Sequence, residues 1–445
     1  MTDTAMATAR ETATPSRLNP PRVRLPKLVQ GFLFAFFRGK AMRYWIKRHG
    51  HIFEINVAFF GRSVVVSEPA LVRSVCTASA EQLINVQPNL SNWFGPGSVF
   101  GLDGGRHRDR RRLLAPAFHG QSLKSYETVI EDETRRESAN WPEGKEFRIL
   151  EPMSRITLNV ILRIMFGADG TELKELREMV PAYMKLGQLL AFAPAPPAWI
   201  RRHSPWAKLD EFRRTFDRIV CTLIERTESD PNLVERNDIL AYLVRSGHDK
   251  GTGISRADIC DELSTLVGAG HETTASALAW TFERIRRHPD VLAELSNEVD
   301  EGGGEFRRAT IFESLRVRTV IDVIGRQPNS PNFELDQWSI PDHRTVLVRI
   351  ADLHENPEIY PHPERFDPYR FRGTRPAAPE WLAFGGGARR CIGSDFAIAE
   401  MDIVLRTLLQ SFRLHTDAAA DEKSHFRGIA HIPKLGGRVI LHHRK

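Results

Sequence analysis

Apolar positions along the chain recur mostly at helical spacing, and alternating, strand-like runs are few and short. The stretch HIFEINVAFFGRSVVVSE alternates around a glycine turn and predicts a hairpin from His51 to about Ser67. Further strands are predicted in VIGRQPNSPNFELDQWSIPDHRTVLVRI, with a last pair near GIAHIPKLGGRVILHH. This pattern predicts a mainly α protein with a smaller β-rich region, an α+β fold.

The longest helical pattern begins at Ser255, which can form a capping box with Asp258, and it ends before Pro289. Its roughly 34 residues would span about 50 Å, enough to cross the molecule. The length predicts one long central helix.

The middle of this helix, LVGAGHETTAS, combines Gly268 and Gly270 with Glu272 and Thr273. Each interior glycine costs about 1 kcal/mol relative to alanine, so the glycines need a reason. One interpretation is a close helix crossing at small residues. The other is a groove wide enough for a small molecule, with Glu272 and Thr273 as a proton-delivery pair beside it.

The N-terminal part divides into a polar stretch and a short apolar one. Residues 1–25 are predicted to be a disordered tail, and residues 26–445 a single domain. The segment LVQGFLFAFF is apolar for about ten residues, far short of the roughly 20 that span a bilayer. It predicts an amphipathic helix that packs on the body or rests lightly on a membrane surface.

Composition excludes several classes of protein. Of 445 residues, 41% are hydrophobic and 27% charged, an ordinary globular balance. The net charge is +6, but the basic residues are interspersed with 56 acidic ones, and no nucleic-acid-binding motif accompanies them, so no nucleic-acid partner is predicted. The four cysteines lie far apart without a CxxC pair, which predicts a reducing, cytoplasmic location.

The candidate chemistry centres on Cys391 in WLAFGGGARRCIG. A thiolate without nearby His or Cys partners cannot complete a four-ligand zinc site, but it suits an axial position on haem iron. Arg389 could offer a cation to a cofactor carboxylate, and Phe384 could pack over the thiolate side of a large ring.

These residues resemble a known family, the cytochrome P450 monooxygenases. The haem-thiolate signature F-x-x-G-x-R-x-C-x-G is matched at every fixed position, by Phe384, Gly387, Arg389, Cys391 and Gly393. The oxygen-binding motif A/G-G-x-D/E-T-T/S is similar to the long-helix residues Ala269, Gly270, Glu272, Thr273 and Thr274.

The resemblance implies further site residues. Glu313 and Arg316 of ESLR match the E-x-x-R pair, which is expected to form a structural network with Arg365 of PERF. His107 and Arg111 of GGRHRDRRRLL resemble the family's H-x-x-x-R pair. The haem propionates are expected to be bound by His107, Arg111, Arg326 and Arg389.

The implied function is that of a haem b monooxygenase with an axial thiolate, in a fold whose long central helix crosses over the haem. Such an enzyme activates O2 and oxidises a lipophilic small molecule, with Glu272 and Thr273 relaying protons. No flavin, NAD or iron–sulfur motif is present, so electrons are expected from a ferredoxin and an NAD(P)H-dependent ferredoxin reductase, as in soluble bacterial types. The alternatives are a haem-thiolate sensor and a peroxide-driven peroxygenase, both disfavoured by the intact acid–alcohol pair.

Two departures from the family pattern concern turns. A proline is usual where this chain has Thr319, and a glycine is usual where it has His343. Both put the local turn geometry in doubt. The segment LLAFAPAPPAWIRRHSPW, residues 189–206, is predicted to be part of a mobile lid between two helices.

Overall fold

The computed structural model describes residues 18–57, 60–86, 90–167, 170–190, 196–248 and 254–444. Leu18 already forms a bridge with Trp338, and Val23 lies in the core. Arg22 likewise forms a bridge with Glu54, so the part of the predicted tail from residue 18 onwards includes positions that pair with strands. Residues 1–17 lie outside the described part of the chain.

Helices make up most of the described residues. In chain order they are α1 Lys27–Phe36, α2 Arg38–His49, α3 Pro69–Thr77, α4 Ser91–Phe94, α5 Gly104–Leu114, α6 Gln121–Ser138, α7 Leu150–Phe166, α8 Thr171–Leu190, α9 Ala198–Arg201, α10 Pro205–Glu228, α11 Ile239–His248, α12 Arg256–Arg286, α13 Pro289–Asp300, α14 Glu305–Val317, α15 Ile350–His354 and α16 Ser394–Ser411. Among the described residues, none of these helices is long and apolar enough to cross a bilayer.

The strands are short and mostly antiparallel. They are β1 Ile52–Val57, β2 Gly61–Val66, β3 Leu83–Asn85, β4 Phe147–Arg148, β5 Val323–Pro328, β6 Asn332–Leu335, β7 Trp338–Pro341, β8 Thr345–Arg349, β9 Phe412–Leu414, β10 Ser424–Arg427, β11 Ala430–Pro433, β12 Arg438–Val439 and β13 Leu441–His443. The largest sheet has the order β1-β2-β8-β5-β3, with β2 and β8 parallel.

The predicted α+β fold class and two of the three strand regions are confirmed. The hairpin expected from His51 to Ser67 is β1 with β2, and the second region supplies β5 to β8. The last region is strand-forming, but its strands do not pair with each other: β11 pairs with β10, β12 with β4, and β13 with β9. The predicted terminal pair is therefore wrong: β11 forms a hairpin with β10, which precedes the predicted region, whereas β12 and β13 pair with the distant strands β4 and β9.

Helix α12 has the predicted capping box and position. Ser255 Oγ accepts the Asp258 N–H at 3.1 Å, and the Asp258 carboxylate accepts the Ser255 N–H at 3.2 Å. Its 31 residues span about 46 Å. It packs against α7, α10, α14 and α16, so it runs through the main core.

Two elements flank the predicted lid segment. Helix α8 ends at Leu190, α10 begins at Pro205, and the short α9 lies between them. This confirms the placement between two helices. Residues 191–195 lie outside the described residues, and mobility of the segment stays a prediction.

Candidate functional site

A tight loop presents Cys391 immediately before α16. The Cys391 N–H donates to the Phe384 carbonyl at 2.9 Å, and the Arg390 N–H donates to the Gly387 carbonyl at 3.0 Å. Gly387 has a φ of 66°, and a Cβ there would lie 1.7 Å from the main-chain oxygen of Cys76. Glycine is therefore required at position 387 both by the left-handed backbone and by the contact with α3.

The surroundings of Cys391 have opposing effects on its thiol. Burial raises the pKa of the Cys391 thiol, whereas the Gly393 N–H, Arg111 and Arg390 lower it. Helix α16 begins at Ser394, so its positive N-terminal end also faces the sulfur. These donors temper the charge of a thiolate once a metal has replaced the proton.

One stretch of α12 differs from the rest of the helix. From Ile259 to Arg286 every residue of α12 is buried except Ala269, Gly270 and Thr273. These three are spaced i, i+1 and i+4, so they share one helix face. We call this face the notch. Because the helix runs through the core, the accessible surface of the notch borders an internal space.

Side-chain hydroxyls bond back to carbonyls around the notch. Thr273 donates to the Ala269 carbonyl at 2.7 Å, and Thr274 donates to the Gly270 carbonyl at 2.9 Å. Thr157 of α7 donates to the His271 carbonyl at 2.9 Å. Three successive carbonyls of α12 thus receive a second donor, a pattern that bends helices.

Glu272 does not lie on the notch face. Its carboxylate is buried and accepts a hydrogen bond from Arg427 of β10, and its other oxygen lies 3.9 Å from Nε2 of His271. The structure therefore brings Thr273, but not the carboxylate of Glu272, to the internal space. Arg427 was not predicted from the sequence.

The groove predicted at the two glycines is only partly open. A Cβ at Gly268 would lie 2.2 Å from the ring of Phe94, so that ring fills the space beside Gly268. A Cβ at Gly270 would meet only Ile161, at 3.5 Å. Phe94 stacks on Trp93 with ring centroids 4.4 Å apart. The helix-crossing and groove interpretations each apply to one glycine.

The four predicted propionate-binding residues, His107, Arg111, Arg326 and Arg389, gather on the side of α5 and β5. Burial and the charges of Arg389, Arg111 and Arg326 lower the pKa of His107 to about 3, so its imidazole is neutral at pH 7. Burial and Arg389 lower the pKa of Arg326 to about 10. Such shifts arise where buried positive charges lack enough anions nearby.

The four residues are not equivalent. Arg389 pairs with Asp103 and donates to the Val99 carbonyl at 3.1 Å, so this guanidinium is already engaged by the loop before α5. Arg326 donates to the adjacent Gly325 carbonyl at 2.8 Å. The predicted set of His107, Arg111, Arg326 and Arg389 is thus assembled, but Arg389 has a protein carboxylate as its partner.

The E-x-x-R pair is fully buried on α14. Arg316 donates to both carboxylate oxygens of Glu313, each at 2.7 Å, and to the carbonyls of His354 and Arg365. The second arginine at the carboxylate is Arg370, whose Nε lies 3.1 Å from Glu313 Oε1. The predicted role of the Arg365 side chain is therefore corrected: that side chain is exposed, and Arg365 contributes its main-chain oxygen.

The two departures have local structural explanations. The Thr319 hydroxyl is buried, donates to the Arg316 carbonyl at 3.1 Å and lies 2.8 Å from Nδ1 of His354. It therefore satisfies a helix-end carbonyl at the place where a proline was expected. His343 is exposed, and its φ is not positive. The turn at this position therefore needs no glycine.

Four contributors were missed in the sequence: Cys76, Phe94, Arg370 and Arg427. Arg370 had a visible signal, because PYRF repeats the arginine–phenylalanine pair of PERF five residues later. The other three act through contacts between distant segments, for which a single sequence offers no signal.

Comparison with known proteins agrees with the site. The sequence pattern of the cytochrome P450 family matches residues 20–437. Cytochrome P450 138 of Mycobacterium tuberculosis is 52% identical over 425 residues, covering 96% of each chain. This chain belongs to the cytochrome P450 family. Cytochrome P450 135B1 of the same species is 34% identical over 429 residues, covering 94% of this chain and 90% of that protein.

Solved cytochrome P450 structures share the fold. Retinoic acid-bound cyanobacterial CYP120A1 superposes with a TM-score of 0.83 at 24% identity, covering 96% of this chain and 100% of that chain. The heme domain of cytochrome P450DA gives a TM-score of 0.81 at 20% identity, covering 96% and 98%. The chain therefore has the cytochrome P450 fold, in which the long central helix crosses over the haem.

The residues present fit the haem that cytochromes P450 carry. A Cβ at Gly393 would meet no atom within 4 Å, so open space borders the cysteine loop at this residue. The cations around His107 require anions, and haem carries two propionates. As a member of the family, the protein is a haem monooxygenase with an axial cysteine thiolate.

Proposed function

We propose that this cytochrome P450 oxidises a lipophilic small molecule, most simply by hydroxylation, with electrons from a ferredoxin and an NAD(P)H-dependent ferredoxin reductase. The observation that carries the proposal is the notch, where Ala269, Gly270 and Thr273 are the accessible residues in the part of α12 from Ile259 to Arg286, which is otherwise buried. Bound haem, held by Cys391, supplies the chemistry of oxygen activation.

Thr273 is proposed to hold and pass the proton at the notch. Its hydroxyl can donate and accept at once, and its present acceptor is the Ala269 carbonyl. Rotation about χ1 would point the same hydroxyl into the internal space. Removing it would leave protons there without a defined path.

Glu272 is proposed to connect Thr273 with solvent through Arg427. Its carboxylate must exchange Arg427 for a water or a hydroxyl before it can hand on a proton, because the carboxylate oxygen in this pair already accepts a hydrogen bond from Arg427. The Arg427 side chain is partly exposed, so this pair lies on a route between solvent and the core.

A lipophilic substrate is favoured by the apolar surroundings of the notch. Phe94 stacks on Trp93 and faces Phe100 with ring centroids 6.0 Å apart, and its ring lies beside Gly268, the residue directly before the notch. Ile161 of α7 faces Gly270 from the other side. Apolar walls with few polar groups select ligands by shape and hydrophobicity.

A separate electron donor is favoured by the absence of flavin, NAD and iron–sulfur motifs from the sequence. Arg111 of α5 lies close enough to Cys391 to lower the pKa of its thiol. The outward-facing Arg108 and Arg112 of the same helix, together with Arg390, therefore make the surface nearest the cysteine positive. Such a surface attracts an acidic protein such as a ferredoxin.

The test is coupling in the Thr273→Ala variant. Holoenzyme, ferredoxin and reductase are combined with a ligand that produces a low-spin to high-spin shift, and NADPH use, peroxide and product are measured. We expect product per NADPH to fall about tenfold or more while peroxide rises, because the proton path is cut.

The matched control is Thr281→Ala, which removes the same kind of hydroxyl from the same helix, where it donates to the Ala277 carbonyl at 2.9 Å. It should couple as the wild type does. Unchanged coupling in Thr273→Ala would refute the proton role. Product formed at the full rate with peroxide alone would indicate a peroxygenase. A spin shift on ligand binding without any consumption of NADPH would indicate a sensor.

A further inference from the structure

Helix α1 is apolar on both faces: Phe34 on its inward face is buried in the core, with Leu33 packed against the same cluster. Its inward face also carries Gln30, which is buried and donates to the Leu25 carbonyl at 2.7 Å while accepting the Asn56 N–H at 2.8 Å. Its outward face carries large apolar residues: Leu28 is 86% exposed, Phe32 55% and Phe36 72%. An ordinary surface helix of a globular protein carries polar and charged side chains on its outward face instead.

The exposed apolar residues are contiguous. Phe32 contacts both Phe36 and Phe37, with ring centroids 5.1 and 5.8 Å apart. We define the apolar stripe as these residues and their exposed neighbours: Leu25, Leu28, Val29, Phe32, Phe36 and Phe37. A continuous exposed patch of this kind marks an interaction surface rather than scattered surface apolar groups.

The positive charge of the chain is concentrated around this stripe. Residues 18–53 contain no acidic side chain and eight basic ones, Arg22, Arg24, Lys27, Arg38, Lys40, Arg43, Lys47 and Arg48. The remaining residues contain 54 basic and 56 acidic side chains. The net charge of +6 therefore comes from this segment, although basic residues elsewhere are interspersed with acidic ones.

Several of these cations border the stripe directly. Arg24 and Lys27 are exposed at its N-terminal end, and Lys40 is exposed just after its C-terminal end. Arg38 instead turns inward, over the ring of Phe34 at 4.3 Å and over that of Phe426 at 4.5 Å. The exposed cations therefore surround the apolar residues without interrupting them.

A second exposed apolar group lies near the same side of the molecule. Arg38 links α1 to β10 through Phe426, and Gly428, just beyond β10, packs against Gln188 of α8. Leu189, the next residue of α8, is exposed, as are Trp199 and Ile200 of α9. Arg201 and Arg202 follow them, so this group repeats the combination of apolar and basic residues.

We propose that the apolar stripe docks this cytochrome P450 on the surface of an anionic lipid bilayer. Aromatic and leucine side chains on one face of a helix with Lys and Arg at its borders are typical of helices that lie in the membrane interface. The ten residues of α1 are about 15 Å long, so the helix rests in the interface and does not span the bilayer.

Charge decides between a bilayer and a second copy of the chain. Arg22, Arg38 and Arg43 are paired with acidic residues of the same chain. Two copies joined through their stripes would still bring two of these segments together, and the exposed Arg24, Lys27 and Lys40 of each copy would repel those of the other. Anionic lipid head groups attract the same segment while the acyl region receives the apolar side chains. Docking is independent of the oxidation reaction, so its test does not depend on the proposed function.

The experiment is co-sedimentation of the full-length holoenzyme with vesicles of phosphatidylcholine and with vesicles of equal parts phosphatidylcholine and phosphatidylglycerol. We expect binding to the anionic vesicles that weakens at high salt. The double variant Phe32→Ser/Phe36→Ser should bind about tenfold or more weakly, because two apolar anchors are lost.

The matched control is Val234→Ser, which replaces a side chain that is 83% exposed outside both apolar groups. It should bind as the wild type does. The carbon monoxide difference spectrum of each variant establishes that the haem site is intact.

Three outcomes would overturn the proposal. The first is that the wild-type protein binds neither kind of vesicle. Equal binding by the double variant would mean that charge alone attracts the lipid and that the stripe does not insert. If the wild type forms a dimer in the absence of lipid and does not bind vesicles, and the double variant is monomeric, the stripe is an interface with a second copy of the chain.

Discussion

The clearest result at the scale of single residues is the role of Thr319. Burial and Arg316 lower the pKa of His354 to about 3, so this imidazole is neutral in the folded protein. Its Nε2 accepts the Leu382 N–H at 3.0 Å, which leaves the proton on Nδ1, facing the Thr319 hydroxyl at 2.8 Å. One hydroxyl therefore connects the end of α14 with the helix α15 that Arg316 also holds.

We expect Thr319→Val to lower the free energy of unfolding by about 1–3 kcal/mol, because Nδ1–H of His354 would be buried without an acceptor. The measurement is urea unfolding followed by circular dichroism. Thr222→Val is the control, since this hydroxyl donates to the Arg218 carbonyl on the surface of α10. Equal unfolding curves for the two variants would show that the Thr319 bond contributes nothing.

Local spacing determined which site residues were predictable. The five signature positions around Cys391 fall within ten consecutive residues, so the sequence alone identifies the loop. Arg370 was not chosen because RFDPYRF contains two arginine–phenylalanine pairs, and spacing does not say which one returns to Glu313. Only the packing of the segment after residue 361 against α14 decides this.

At the scale of elements, α12 combines a structural glycine with one at the ligand site. Gly268 makes room for the ring of Phe94, which is 1% exposed and cannot retreat without moving α4. Gly270 faces the internal space, and a methyl group there would fit against Ile161. Two glycines separated by one residue thus serve different purposes.

Replacing each glycine by alanine separates the two roles. Gly268→Ala should lower the free energy of unfolding by about 1–3 kcal/mol through overpacking against Phe94. Gly270→Ala should raise it by as much as about 1 kcal/mol through helix propensity while weakening ligand-induced spin shifts. Urea unfolding and ligand titration of both proteins measure this. Equal stability of the two variants would contradict the placement of Phe94.

The helix itself was predictable, whereas its contacts were not. The capping box of Ser255 with Asp258 and the stop before Pro289 depend on neighbouring residues, and both appear as expected. The contact of Phe94 with Gly268 and the pairing of Arg427 with Glu272 join segments more than 150 residues apart. Hydrophobic periodicity assigns a face to each residue but not the partner that the face meets.

At the scale of the whole molecule, positive charge occurs on two separate elements. The segment around α1 carries the net excess, and α5 places Arg108 and Arg112 on the outer surface near the cysteine loop. Arg112 is paired with Asp109 at 3.2 Å, on the exposed surface where such a pair contributes little to stability. These arginines are therefore available to steer a charged partner.

We expect Arg108→Glu/Arg112→Glu to slow reduction of the holoenzyme by an acidic ferredoxin about tenfold at low salt, because steering by opposite charges raises association rates. Stopped-flow reduction under carbon monoxide measures the rate. The wild-type rate should fall as salt increases, and that of the variant should change little. Arg214→Glu on α10 is the control and should behave as the wild type does. If the double variant is reduced at the wild-type rate, the electron donor docks elsewhere on the protein. That outcome would not change the assignment of the haem site, which the carbon monoxide spectrum tests separately.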